Sequence, residues 1–217
     1  MTHTPTADYA IAAIVTDHVH DVRLAFKELN RGNCWQEFFV RVAQVPNVSS
    51  EAQKCFLTWW AQLGWSLRSY EIKDDDVLLD GLWKLLPPYT GVPIDLYRGQ
   101  GRDEKVGASW TSSRMVARKF ACYGTRLLEM YDDRGDPSPT ILEAEVRRKG
   151  LTARPDAVVL TAHQVTADHI ICAPCLHGRD YEDEYIVDPR GLTISAADEL
   201  FGTRRLPDNP QGRIGSL

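Results

Sequence analysis

The chain has 217 residues, 43% hydrophobic and 25% charged, the balance of a soluble globular protein large enough to bury a core without disulfides or metal. Its 25 Lys and Arg against 30 Asp and Glu leave a net charge of −5. That excludes gripping nucleic acid by bulk electrostatics, while a local basic groove stays open as a reading. No apolar run approaches the roughly 18 residues a membrane span needs. The opening MTHTPTADYAIAAIVTDHVHD lacks the cationic start and continuous apolar stretch of a signal peptide. Five cysteines, an odd number, fit reduced thiols of a cytoplasmic protein, with delivery into a target cell by a route without a cleaved signal left open.

In chain order, residues 9–29 and 34–43 read as helical. Residues 51–68 form the clearest early helix: Ser50 and Gln53 make a capping-box pattern, and Ala52, Phe56, Trp59, Trp60, Leu63 and Leu67 fall on one face. Asp74-Asp75-Asp76 suits the start of another helix, which must stop before Pro87-Pro88. Beyond Pro88 short β-like runs are separated by Gly, Pro and Asp. Strands are expected at 94–98, 109–111, 140–147, 157–160 and 181–187, with a helix at 113–123 that carries Val116, Phe120 and Tyr123 along one side. Residues 195–201 read as a short helix and 206–217 as an exposed tail. The order predicts an α+β domain with a mostly non-parallel sheet, preceded by an α-helical region over 1–90. Five of the six tryptophans lie in that region, and packing explains its aromatic faces better than a ligand pocket does.

Three segments can carry chemistry. In Ile94-Asp95-Leu96-Tyr97-Arg98, Arg98 continues an apolar strand face, which demands an anionic partner. Gly99, next along, lets another group approach the backbone closely. In Ser109-Trp110-Thr111, the two hydroxyls share a face, with Ser112 or Ser113 placed to cap the next helix. In Glu182-Asp183-Glu184, the two glutamates share a face and can sit at one reacting centre: one stabilises a developing cation while the other positions the incoming group. Taken singly, each has a bland reading: a structural ion pair for Arg98, local backbone satisfaction for the hydroxyls and a solvated strand edge for the glutamates.

Taken in order, LYRG, SWTSSRMVARKFA and EDEYIVDP resemble the arginine–serine–glutamate class of mono-ADP-ribosyltransferases over roughly residues 92–190. Ala117 and Phe120-Ala121 fit that family's helix, and ILEAEV at 141–146 fits the strand after it. The resemblance implies a split, mixed β-sheet core over 91–205, preceded by the helices, with NAD as co-substrate in the cleft. It implies that Arg98 holds the NAD phosphates and ribose, and that the Gly99 backbone fixes the nicotinamide amide. Ser109, with Thr111 beside it, orients the cofactor and the catalytic glutamate. Glu184 stabilises an oxocarbenium-like transition state, and Glu182 positions the acceptor. The motif departs from the family in reading Ser-Trp-Thr where the family has Ser-Thr-Ser, and a register one residue later is the alternative.

The expectation is an enzyme that transfers ADP-ribose to a protein side chain such as arginine, or to nucleic acid, and releases nicotinamide. It has the character of a toxin or effector, with an antitoxin or immunity protein as a candidate partner, and with no membrane partner and no metal. The alternatives are an NAD glycohydrolase, in which water is the acceptor, and a non-catalytic binding module on the same fold. A third, the metal-assisted hydrolase, would use Glu182, Glu184 and nearby His or Cys. Cys172-Ala173-Pro174-Cys175 is a lone CxxC, for which His177 and Asp180 are the nearest further zinc ligands. No GxGxxG fingerprint supports a Rossmann-type NAD site.

Overall fold

The structure is a computed structural model, and it describes residues 5–16, 18–67, 72, 74–123, 156–173 and 184–199. The expected strand at 140–147, the 206–217 tail, Glu182, Cys175, His177 and Asp180 lie outside the described residues.

Five helices come first: α1 (Pro5–Ile14), α2 (Val19–Gly32), α3 (Trp35–Val42), α4 (Ser50–Ser66) and α5 (Asp75–Leu85). Asp74 caps α5, accepting the amides of Asp76 and Val77, and the helix stops ahead of the two prolines. The cap of α4 differs from the expectation. The Ser49 hydroxyl, not that of Ser50, accepts the Ala52 amide, and the Gln53 side chain donates to the Lys84 carbonyl of α5. Gln53 thus ties two helices together. The aromatic residues pack on one another: Phe26, Trp35, Phe38, Phe39 and Phe56 are fully buried, with ring centroids about 6 Å apart. The same core takes in Ile171, Cys172 and Ile186 from the sheet and Ala108 just before β2, so helices and strands share a hydrophobic interior.

The sheet is built from β1 (Ile94–Gly101), β2 (Ser109–Thr111), β3 (Ala157–Val165), β4 (Ile170–Cys172), β5 (Glu184–Val187) and β6 (Ser195–Glu199), in spatial order β4-β5-β2-β1-β3-β6. The fold is α+β. Every pairing among the described strands is antiparallel, in keeping with the mostly non-parallel sheet expected from the sequence, and the expected strand at 140–147 lies outside them. Strands β2 and β3 flank β1, and both run antiparallel to it. A correction concerns residues 195–199, expected as helix. They pair with the open edge of β3, and that tertiary pairing overrides the local helix preference of Ala and Glu. Strand β4 had no counterpart in the sequence reading.

Helix α6 (Arg114–Tyr123) lies across β1. Its buried stripe is Ala117, Ala121 and Cys122, while Val116 and Phe120 are half-buried. Contact is set by backbone proximity. A Cβ on Gly99 would stand 1.7 Å from the Ala117 carbonyl oxygen and 2.4 Å from the Ala121 nitrogen. Small residues on the helix and no side chain on the strand allow this approach. Gly99→Ala is therefore expected to lose about 3 kcal/mol or more in a denaturant titration, since rigid backbone has to move. An unchanged midpoint in Gly99→Ala would contradict this packing.

Candidate functional site

The site lies where the two halves of the sheet meet. Strands β1 and β3 run in register over most of their length, but β1 and β2 meet at one register pair, Tyr97 with Thr111. The sheet is one six-stranded sheet whose halves, β4-β5-β2 and β1-β3-β6, are joined at this short seam. The helical core covers the first half and α6 covers the second.

Three chemistry-bearing strands are neighbours at that seam. Thr111 stands opposite Tyr97 on one side and Glu184 on the other. Ser109 stands opposite Ile186, so Ser109, Thr111 and Glu184 share a sheet face. Trp110 and Tyr185 pair on the opposite face, and Trp110 is buried beneath the sheet with Leu96 and Val187. Its indole N–H donates to the Gly107 carbonyl at 3.0 Å, which pins the loop before β2.

Arg98 follows Tyr97, so its side chain leaves β1 on the face opposite Glu184 and turns into the seam. Nη1 donates to the Ser109 carbonyl at 2.7 Å and Nε to Gln100 Oε1 at 2.7 Å. A Cβ on Gly107 would stand 2.8 Å from Nη2, so the guanidinium rests against a bare stretch of backbone. The structure thus links Arg98 to β2 at Ser109 itself, from across the seam.

The two hydroxyls of β2 differ. Ser109 is half-exposed. Thr111 is buried, and its oxygen accepts the Ser113 amide at 3.1 Å, forming the turn into α6. The Ser113 hydroxyl accepts the Val116 amide and caps the helix. Thr111 therefore shapes the strand-to-helix turn. Gly99 lies beside the seam with its side-chain position filled by α6. Glu184 is half-buried at the start of β5. Glu182 lies outside the described residues.

A second polar cluster braces β5. The Asp188 carboxylate is 7% exposed and accepts from the Trp83 indole at 2.9 Å and from the Arg190 guanidinium at 2.7 Å. Arg190 also reaches Asp80 of α5 at 2.9 Å. Burial pushes the Asp188 carboxyl up, but the bonds from Arg190 and Trp83 outweigh it and hold it below the usual carboxylate range. The brace fixes the far end of the strand that begins with Glu184.

Among the described residues no group of His, Cys, Asp and Glu is arranged to hold a metal ion, and no helix is long and apolar enough to cross a membrane. Cys34, Cys55, Cys122 and Cys172 are free thiols, and burial raises that of Cys122. No protein-family model, curated protein or solved structure matches the chain.

Sequence reasoning missed Gln100, Gly107 and the Trp83–Asp188 contact. Gln100 was within reach of it, since it extends the Leu96–Arg98 face as a polar residue where an apolar one is expected. The contact from Trp83 to Asp188 spans 105 residues and leaves no local signal.

Because the folded-state pKa of Asp188 is lowered, its contribution is complete above the ordinary carboxyl value of about 3.9 and is lost as pH falls through the lowered one. Asp188→Asn is expected to cost about 1–3 kcal/mol near neutral pH, with the gap to wild type closing as pH falls through the lowered value. Urea midpoints measured across pH check this, and a gap independent of pH would contradict it.

Proposed function

We propose that the chain is an NAD-dependent mono-ADP-ribosyltransferase, its core a split sheet of the ADP-ribosyltransferase kind. The supporting observation is the sheet order. Arg98, Ser109 and Glu184 lie on three adjacent strands, β1, β2 and β5, although β5 is the fifth strand in sequence. Sequence order alone does not require that adjacency.

In this reading the dinucleotide lies along the seam. Arg98 meets the phosphate and ribose region, a pairing for which guanidinium is well suited. The Gly99 backbone meets the nicotinamide amide, and Ser109 orients the ribose and Glu184. The bond between ribose C1′ and the nicotinamide nitrogen breaks, and nicotinamide leaves neutral with the bonding pair. The carboxylate of Glu184 stabilises the cationic ribosyl group as it forms. An acceptor nucleophile bonds to C1′ and gives up its proton, with Glu182 assigned to positioning it. The acceptor is a macromolecule, protein or nucleic acid, which suits a toxin or effector held in check by an antitoxin or immunity protein.

Nicotinamide release from labelled NAD, with cell lysate supplying acceptors, tests the reading. Wild type is expected to release it, Glu184→Gln to fall by about a hundredfold or more, and Arg98→Lys to raise the KM for NAD at least tenfold. Label kept on protein or nucleic acid identifies a transferase, and free ADP-ribose a glycohydrolase. Folded wild-type protein that neither binds NAD nor releases nicotinamide across several lysates would falsify the enzymatic reading and leave a binding module.

A further inference from the structure

Gln100 is 3% exposed, on the same strand face as Arg98. A buried primary amide is costly unless its groups are satisfied. Here its oxygen accepts Arg98 Nε at 2.7 Å, while its nitrogen donates to the Glu104 carbonyl at 2.6 Å and the Gly101 carbonyl at 3.3 Å. The Glu104 carboxylate closes the ring of contacts by accepting the Gly101 amide at 3.0 Å. Residues 101–104 thus form a tight turn wrapped around one side chain, and the other end of that side chain grips the guanidinium.

The geometry has a direction. An arginine side chain has several freely rotating bonds, and fixing them on binding an anion costs conformational entropy. With Nε held by Gln100 and Nη1 by Ser109, the guanidinium plane is set before any ligand arrives. Gly107 leaves the space into which Nη2 points.

We infer that Gln100 is a positioning residue that presets Arg98 for the dinucleotide. The inference rests on the NAD reading of the seam and adds a residue that acts through Arg98 without touching the ligand. The Gln100 amide supplies the acceptor for Nε, so an acceptor at this position is required and an apolar side chain of the same size is not enough. Glu104, through its carboxylate on Gly101, holds the turn that anchors the amide.

Two variants separate the roles of the amide. Gln100→Met keeps the volume and removes the acceptor, whereas Gln100→Glu keeps the acceptor and removes the donor to the turn. The first readout needs no NAD. In proton–nitrogen NMR of the full chain, wild type is expected to show a protected Arg98 Nε–H signal, identified by its absence in Arg98→Lys. The signal should vanish in Gln100→Met and persist in Gln100→Glu. The second readout is steady-state nicotinamide release. Gln100→Met should raise the KM for NAD about tenfold with kcat changed far less, and Gln100→Glu should restore most of the difference. An Nε–H signal equally protected in folded Gln100→Met would overturn the positioning role, as would a KM that the two variants share. A signal that behaves as expected in a protein indifferent to NAD would overturn instead the link to the dinucleotide, with Gln100 then confined to bracing its turn.

Discussion

The guanidinium of Arg98 in the seam of the sheet is the contact on which the arrangement of the site depends. Where two central strands meet at one register pair, backbone groups beside it lack ladder partners, and a carbonyl buried without a donor costs about 1–3 kcal/mol. Arg98 supplies a charged donor to the Ser109 carbonyl from across the seam. The same contact places a cation beside a strand that carries Ser109 and neighbours Glu184.

Both halves of the sheet are held from behind. On one side α6 sits on β1 so closely that Gly99 has no room for a side chain. On the other, the helical core packs onto Ile186 and Ile171, and the Trp83–Asp188–Arg190 cluster ties α5 to the end of β5. The helices before residue 90 therefore do structural work for the strand that bears Glu184. Packing this dense is stiff and transmits small displacements, so the position of Glu184 depends on residues more than a hundred positions away in sequence, such as Trp83.

Much of this was legible in the sequence, and the failures have physical causes. Ser-Trp-Thr gave β2 its limits, since alternation separates Trp110 from its neighbours and burial rewards that separation. Asp74 and Pro87 bounded α5 because capping and the missing proline amide act locally. The errors came where distant partners decide the outcome. Residues 195–199 carry helix-forming side chains, yet they complete the open edge of β3. The stripe of α6 was read from its larger residues, whereas the small ones face the sheet, because the helix closes directly onto the backbone of Gly99. For the site, the residue types and their order along the chain were readable. The adjacency of β1, β2 and β5 and the grip of Gln100 on Arg98 were not, since both depend on pairings between strands and on a turn that only the folded chain defines.

The most direct test of the seam as the dinucleotide site is chemical-shift mapping with a non-cleavable NAD analogue on the intact wild-type protein. The arrangement predicts saturable shifts in the backbone amides of Gly99, Ser109 and Glu184 and in the side chain of Arg98, and their loss in Arg98→Lys. Saturable shifts confined to another surface, or none at millimolar analogue with the protein folded, would contradict it.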